Sequence, residues 1–477
     1  MLLRISFALL VGLTTTAATR AQVGAPQWSN VPFKVPETNQ LFGPFCSNGT
    51  SYAFGNAHPA KYEYAGYVFP KEGEGPAVVR PVTLPEQKNH DTFNSFCLVG
   101  GRPCVVFNAW DKETGVVTIM AQRYTEEFLP EGTAVELGKI PLEAKTYGGA
   151  RLRIKDYASP DKSKTLFLFD DVQTGGIKQA MCWVVDSELE LLWSGAYRLP
   201  VAANGGWSTA WVMNNGDVLM RVNAVVLDED NTKEKKDGTK EVKNSTANDK
   251  RSSTFYRLHG ETSVMWDGEL PSLNGSFQGT PTMIGERVLL GGYLKPDDSK
   301  SKARTWVVLE MDGKMTPTIR ATGSTSRQEP ITYGKLESGP DRTYLILDHD
   351  GFVTVLKLDG DMKAEWEHSS PWEGVRAYVF EDNLYMPALG RNSNWKDVQD
   401  GKKWEEDAYA ASGFWPMLLR WDATGKSSLQ RLLPEDVNSA RQRIWGADFD
   451  SIGTCGCYVD RSYEKAHPGL VRVPLGK

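Results

Sequence analysis

Short apolar runs separated by polar turns make up most of this chain, and the segment from Leu152 to Pro200 holds one complete set. Leu152 to Ile154, Thr165 to Phe169, Cys182 to Val185 and a run ending at Trp193 are strand-length segments. They are divided by Ser159-Pro160-Asp161-Lys162, a loop, and Asp186-Ser187-Glu188, and Leu199-Pro200 closes the set. Apolar runs of this length bounded by Pro, Asp and Ser predict strands joined by turns. Four in succession predict one antiparallel sheet.

The set recurs. An apolar residue before the last turn is followed eight positions later by Trp in Val185 and Trp193, Leu258 and Trp266, and Leu358 and Trp366; Met311 with Ile319 and Trp421 with Leu429 keep the spacing. Four of these five copies place Asp at the turn: Asp186, Asp312, Asp359 and Asp422. Asp suits such a turn because its carboxylate bonds the backbone that follows it. A large aromatic at a fixed place in an outer strand is expected to pack against the neighbouring sheet. Inner hairpins trace separately at Asn48-Gly49, Gly100-Gly101, Asp161-Lys162, Asn215-Gly216, Gly285-Glu286, Pro340-Asp341, Asp382-Asn383 and Gly453, eight in all.

The units run over roughly 45–85, 92–142, 151–200, 206–271, 277–320, 326–367, 374–433 and 442–476, near the ~40 to 50 residue period of propeller repeats. Separate four-stranded sheets cannot bury both faces, and radial stacking solves that. The expected fold is therefore all-β, a propeller of four-stranded antiparallel blades, eight of them with seven as the alternative. A tandem array of sandwiches would also give regular strands, but no long linker divides the chain. Residues 22–44, with Pro26, Pro32 and Pro36, form an extended lead-in that either runs along the surface or lends a strand to the last blade. Two insertions, Asp228 to Arg251 and Gly390 to Gly413, fall between second and third strands. Strand alternation puts them on the face that also carries the connectors between blades.

Composition narrows the compartment and the partners. The 477 residues carry a net charge of -6 with a pI near 5.7 and no basic run, so the electrostatic footprint of nucleic-acid binding is missing. Met1 to Ala21 reads as a secretory signal: Arg4, an apolar core from Ile5 to Leu13, then small residues ending Thr19-Arg20-Ala21. That core is too short to span a bilayer, and no later stretch approaches ~20 apolar residues. The expected organisation is a signal peptide over 1–21, the lead-in over 22–44 and one propeller domain over 45–477, exported to the periplasm or the outside and without a membrane span.

Six cysteines, Cys46, Cys97, Cys104, Cys182, Cys455 and Cys457, suit an oxidising compartment. A two-residue turn at Gly100-Gly101 would set Cys97 directly opposite Cys104, within disulfide range; two buried thiols are the alternative. Cys455 and Cys457 lack the partners of a zinc site, and Asp348-His349-Asp350-Gly351 lacks the later ligands of a calcium loop. No metal is expected.

Asp359 to Trp366 and Asp186 to Trp193 resemble the D-x-x-T-G-x-x-x-W motif of pyrroloquinoline-quinone-type propeller repeats, one residue shorter and without the Thr. Asp422-Ala423-Thr424-Gly425 is similar, and Ala109-Trp110-Asp111-Lys112-Glu113-Thr114-Gly115 matches the first half at a different turn of its unit. Enzymes of that family carry adjacent cysteines, and this chain has none, so the resemblance implies eight blades and no quinone cofactor. Ser159-Pro160-Asp161-Lys162-Ser163-Lys164 resembles the turn of TolB-type propeller repeats without its Gly.

Function is expected from the loop-rich face, since binding groups concentrate on loops held by a rigid scaffold. Arg327, Glu329, Arg376 and Tyr378 begin inner strands there, and Trp395 and Trp404 stand in the acidic Gly390 to Gly413 insertion. These six are the candidate ligand-binding residues, for a glycan or protein partner without a cofactor. His58, His90, His349 and His368 map to the same face, and with Tyr378, Arg327, Glu329 and Arg376 they could supply the acid and base of a polysaccharide lyase or glycosidase. A binding scaffold is the first reading and such an enzyme, with its site at the central channel, the second.

Overall fold

The computed structural model describes residues 27–30, 41–58, 63–69, 78–82, 93–111, 113–141, 154–174, 177–202, 207–226, 232–234, 240–242, 250–285, 287–297, 301–339, 342–349, 352–370, 372–374, 376–391, 414–432, 443–450, 453–460 and 469–475. They form an eight-bladed β-propeller. From the channel outward, blade 1 is Leu41–Ser47, Thr50–His58, Glu63–Phe69 and Val78–Val82. Blade 2 is Phe93–Val99, Arg102–Asp111, Val116–Tyr124 and Pro130–Pro141; blade 3 is Lys155–Ala158, Lys164–Thr174, Ile177–Asp186 and Leu191–Ala202. Blade 4 is Trp207–Val212, Val218–Val226, Lys250–His259 and Thr262–Trp266; in blade 5, Gly275–Ile284, Arg287–Pro296, Thr305–Met311 and Pro317–Ser324 gain the short inner strand Glu269–Leu270. Blade 6 is Ile331–Ser338, Thr343–His349, Phe352–Leu358 and Ala364–Ser370. In blade 7 both Trp372–Gly374 and Tyr378–Phe380 pair with Asn383–Arg391, followed by Phe414–Trp421 and Ser427–Arg431. Blade 8 has Arg443–Phe449, Thr454–Asp460 and Gly469–Pro474, and its outermost strand is Gln27–Asn30 from the other end of the chain.

The lead-in therefore closes the ring, one of the two courses open to it. Both insertions leave from second strands, and the first carries a small hairpin, Thr232–Glu234 paired with Lys240–Val242. Three boundaries differ from the sequence reading, the first being the inner strand of blade 1, which begins at Leu41, inside the expected 22–44 lead-in. The inner strand of blade 3 is Lys155–Ala158; Ile154 of the expected Leu152 to Ile154 strand precedes it, and Leu152 and Arg153 lie outside the described residues. In blade 7 the two loop residues are Glu381 and Asp382, both at positive φ, with Phe380 paired to Asn383. The signal segment lies outside the described residues; among those, no helix is long and apolar enough to cross a membrane.

The recurring Asp makes the same turn each time. Asp186 Oδ1 accepts the backbone N–H of Glu188 (2.8 Å) and Glu190 (2.9 Å). Asp312 does so for Lys314 and Thr316, Asp359 for Asp361 and Lys363, and Asp422 for Thr424 and Lys426. The fourth residue of the turn adopts positive φ, and in three copies it is a buried apolar side chain, Leu189, Met315 or Met362, rather than Gly. Burial of that side chain, worth roughly 1.5–3 kcal/mol, offsets a left-handed cost of about 1–2 kcal/mol. Blade 2 has a fifth copy of this turn, in which Thr125 Oγ1 accepts the N–H of Glu127 (3.3 Å) and Leu129 (3.2 Å) while Phe128 takes the positive φ and is buried.

Each apolar core lies between two blades rather than within one. Phe54, Phe96 and Phe128 join blades 1 and 2, and Ile119, Phe167 and Trp183 join blades 2 and 3. Further clusters repeat the arrangement around to blades 7 and 8. The outer Trp residues serve it as expected: Trp193 Nε1 donates to Gly216 O of blade 4 (3.0 Å), and Trp266 packs against Phe277 of blade 5. At the closing junction two buried carboxylates of blade 8 hold the backbone of blade 1. Asp448 Oδ2 accepts the N–H of Cys46 (2.8 Å) and Asp450 Oδ2 that of Gly49 (2.7 Å). Arg472 donates to both Gly49 O and Gln27 Oε1, so the borrowed strand, blade 8 and blade 1 share one cation.

Candidate functional site

Inner strands bring Phe45, Leu98, Asp156, Tyr157, Trp211 and Asp448 around a cavity of about 330 Å³ in the central channel, with Lys162 and Arg376 also lining it. The sequence Lys155-Asp156-Tyr157-Ala158 shows how a strand makes such a wall. Alternation sends Lys155 toward blade 4, and its Nζ donates to Asp170 Oδ2 of its own blade (2.7 Å) and to Ser208 O of blade 4 (3.0 Å). Asp156 instead turns toward blade 2, and its Oδ1 accepts the Ser95 hydroxyl at 2.6 Å. Burial pushes the Asp156 carboxyl up to about 6, with the Ser95 hydrogen bond pulling it partway back. The consequence for stability has a definite sign. The folded protein holds this proton to a higher pH than the unfolded chain, so the raised carboxyl costs stability progressively as pH rises from about 4 through about 6.

Opposite stands a chain of charge spanning three blades. Arg376, just before Tyr378–Phe380, donates from Nη1 to Asp448 Oδ1 (2.7 Å) and to Ala447 O (3.5 Å). Its side chain remains 56% exposed. Lys162, at positive φ in the first turn of blade 3, reaches across to Cys46 O and Phe449 O, each at 3.1 Å. Its ammonium thus ties blades 3, 1 and 8 together at one end of the channel.

The residues singled out from sequence fall into separate places. Arg327 and Glu329 satisfy each other through bonds of 2.9 and 2.8 Å, the guanidinium lies 3.6 Å from the centre of the Phe352 ring, and the ion pair holds the Glu329 carboxyl low. They stand at the start of blade 6, and neither lines the cavity. His349 beside them is buried, its Nδ1 within 3.0 Å of Glu329 O, and burial lowers its imidazole pKa. Tyr378 stacks on Phe449 with ring centres 5.0 Å apart, and burial raises its phenol. Of the four described candidates, then, only Arg376 reaches the cavity. Trp395 and Trp404 lie outside the described residues. Cys97 and Cys104 are register partners, as the Gly100-Gly101 turn requires, and both are buried free thiols here; Cys97 lines the cavity.

Sequence reasoning missed Asp156, Lys162, Trp211 and Asp448. A usable signal existed in two of them: Lys155-Asp156 interrupts an apolar alternation, and Lys162 stands where the related turn has Gly. Among the described residues no three His, Cys, Asp or Glu side chains gather as metal ligands.

No protein-family model matches the sequence, and no curated protein matches it. Solved structures do. The β-propeller domain of the Trilobed protease from Pyrococcus furiosus aligns with a TM-score of 0.40 at 12% identity, over 84% of this chain and 99% of that one. Saccharomyces cerevisiae Sqt1 aligns with a TM-score of 0.43 at 9% identity, over 95% and 96% of the two chains. For Pyrococcus horikoshii acylaminoacyl peptidase the values are 0.42 and 11%, over 81% of this chain and only 52% of that one.

Proposed function

We propose that the protein is an exported binding propeller whose ligand occupies the cavity of the central channel. The observation that carries this reading is the cavity itself: about 330 Å³, walled by Phe45, Leu98, Tyr157 and Trp211, with Asp156, Lys162, Arg376 and Asp448 as charged groups. Small-molecule sites have this size and this mix of apolar wall and few polar anchors. Export rests on the signal pattern of Met1 to Ala21, and the facing Cys97 and Cys104 fit an oxidising compartment, where they would form a bridge.

Filling the space tests the site. Ala158 lines the cavity and is exposed, so Ala158→Trp occupies the channel without disturbing a blade core. Benzoate, benzamide and benzamidine are the probes, read by saturation-transfer NMR. At least one is expected to bind the parent protein and to lose its signal in the variant at unchanged melting temperature. Silence from all three, or equal signals from the variant, would remove the cavity as the site. Export predicts that protein recovered outside the cytoplasm begins near Gln22; material starting at Met1 would contradict it.

A further inference from the structure

We infer that the ligand of this cavity is a small organic monocarboxylate with a flat apolar body, held by the free edge of the Arg376 guanidinium. The inference rests on the binding reading above and adds the chemical class. Three arginine side chains of this protein make the comparison. Arg327 and Arg287 each use the Nε and Nη2 edge to grip a carboxylate with two bonds, Glu329 at 2.9 and 2.8 Å and Glu310 at 2.9 and 2.8 Å. Arg376 is anchored differently, through Nη1 alone, to Asp448 and Ala447. Its Nε and Nη2 have no partner among the described residues, and more than half of the side chain is exposed while lining the cavity. That edge is a planar two-donor fork matched to a carboxylate.

Charge selects the number of negative groups. The cavity is lined by Lys162, Arg376, Asp448 and Asp156. With Asp156 protonated the four sum to one positive charge, and with it ionised they sum to zero. One carboxylate balances the protonated site, whereas a dianion such as a phosphate monoester would overfill it. Lys162 spends two of its three donors on Cys46 O and Phe449 O, so one donor remains for the second oxygen or a substituent. Phe45, Tyr157 and Trp211 then supply the flat apolar walls.

Asp156 sets how binding responds to pH. Packed near it are Ser95 and Cys97 from blade 2 and Tyr157 on its own strand, while Lys162, Arg376 and Asp448 line the same cavity without contacting it; Lys155 and Asp170 of its own blade are paired with each other. Its carboxyl titrates at about 6, so anion binding strengthens as pH falls through that value, when one negative charge leaves the site.

Calorimetric titration with benzoate, its neutral isostere benzamide and the cation benzamidine tests the class. Benzoate should bind at least tenfold more tightly than either, and several-fold more tightly at about pH 5 than at about pH 7.5, either side of the Asp156 transition. Asp156→Asn should keep the tight affinity at both values. That variant should also melt higher than the parent protein at the upper pH and equally near pH 4, a readout that shows it folded and in which ligand plays no part. Arg376→Gln should weaken benzoate at least tenfold, and Arg376→Lys, which keeps charge without the fork, should recover only part of the loss. If benzamide or benzamidine binds as well as benzoate, or if benzoate ignores both pH and Arg376, the monocarboxylate inference is overturned. The cavity reading survives that result as long as Ala158→Trp abolishes whichever probe binds; absence of binding by all three overturns both.

Discussion

Asp448→Ala is expected to destabilise the ring by about 2–3 kcal/mol in urea unfolding, although the residue belongs to no apolar core. Its two oxygens do different work. Oδ2 accepts the N–H of Cys46, a fully buried residue of blade 1, and Oδ1 holds Arg376 at the start of the inner strand of blade 7. Alanine leaves the Cys46 N–H buried without its acceptor, which costs about 1–3 kcal/mol. Loss of the ion pair adds little, because Arg376 is half exposed and pairs of that kind are worth about 0–1 kcal/mol. Asp448→Asn separates the terms: its amide oxygen can still accept from Cys46, so its cost should stay near 1 kcal/mol. Equal costs for the two variants, or an Ala variant within ~0.5 kcal/mol of the parent protein, would mean that the carboxylate does not hold the closing junction.

That junction also shows where sequence reading stops. Blade count and the recurring turn were legible because each rests on local chemistry: apolar strand runs, Asp before a turn, an aromatic at a set distance after it. The fifth such turn, Thr125 to Leu129, escaped because Thr125 stands in place of Asp and Phe128 occupies the left-handed position. Strand closure by Gln27–Asn30 was legible only as one of two courses, since pairing between residues 27 and 472 has no local signature. The cavity was less legible still. Its groups come from blades 1, 2, 3, 4, 7 and 8, and Asp156, Lys162, Arg376 and Asp448 meet only when the ring closes. Arg327 and Glu329 looked like site residues by position, but they are two residues apart and neutralise each other, a pairing that spacing alone leaves open. Trp211 reads in sequence as one more apolar strand residue.

Trp421→Ala should be the most damaging single change, at about 3–5 kcal/mol, the range for truncating a buried large aromatic. Trp421 has no exposed surface and ends the third strand of blade 7. It sits in the cluster that joins blades 6 and 7, with Tyr344, Val355, Leu384 and Met386, and meets the His368 ring edge-on at 6.2 Å. Its Nε1 is buried and finds no hydrogen-bond partner among the described residues. Trp421→Phe therefore loses volume and no hydrogen bond, so it should cost about 1–2 kcal/mol, well below the Ala variant. A Phe variant as damaged as the Ala variant would show that the indole N–H makes a bond that packing does not reveal. Because the cluster is shared, the damage should appear on both sides of it: amide exchange in Tyr344 to Val355 of blade 6 should accelerate together with that in Leu384 to Met386 of blade 7, while the far side of the ring at Ile119 and Phe167 changes least. Acceleration confined to blade 7 would mean that the blades are held by their own sheets rather than by the cores between them.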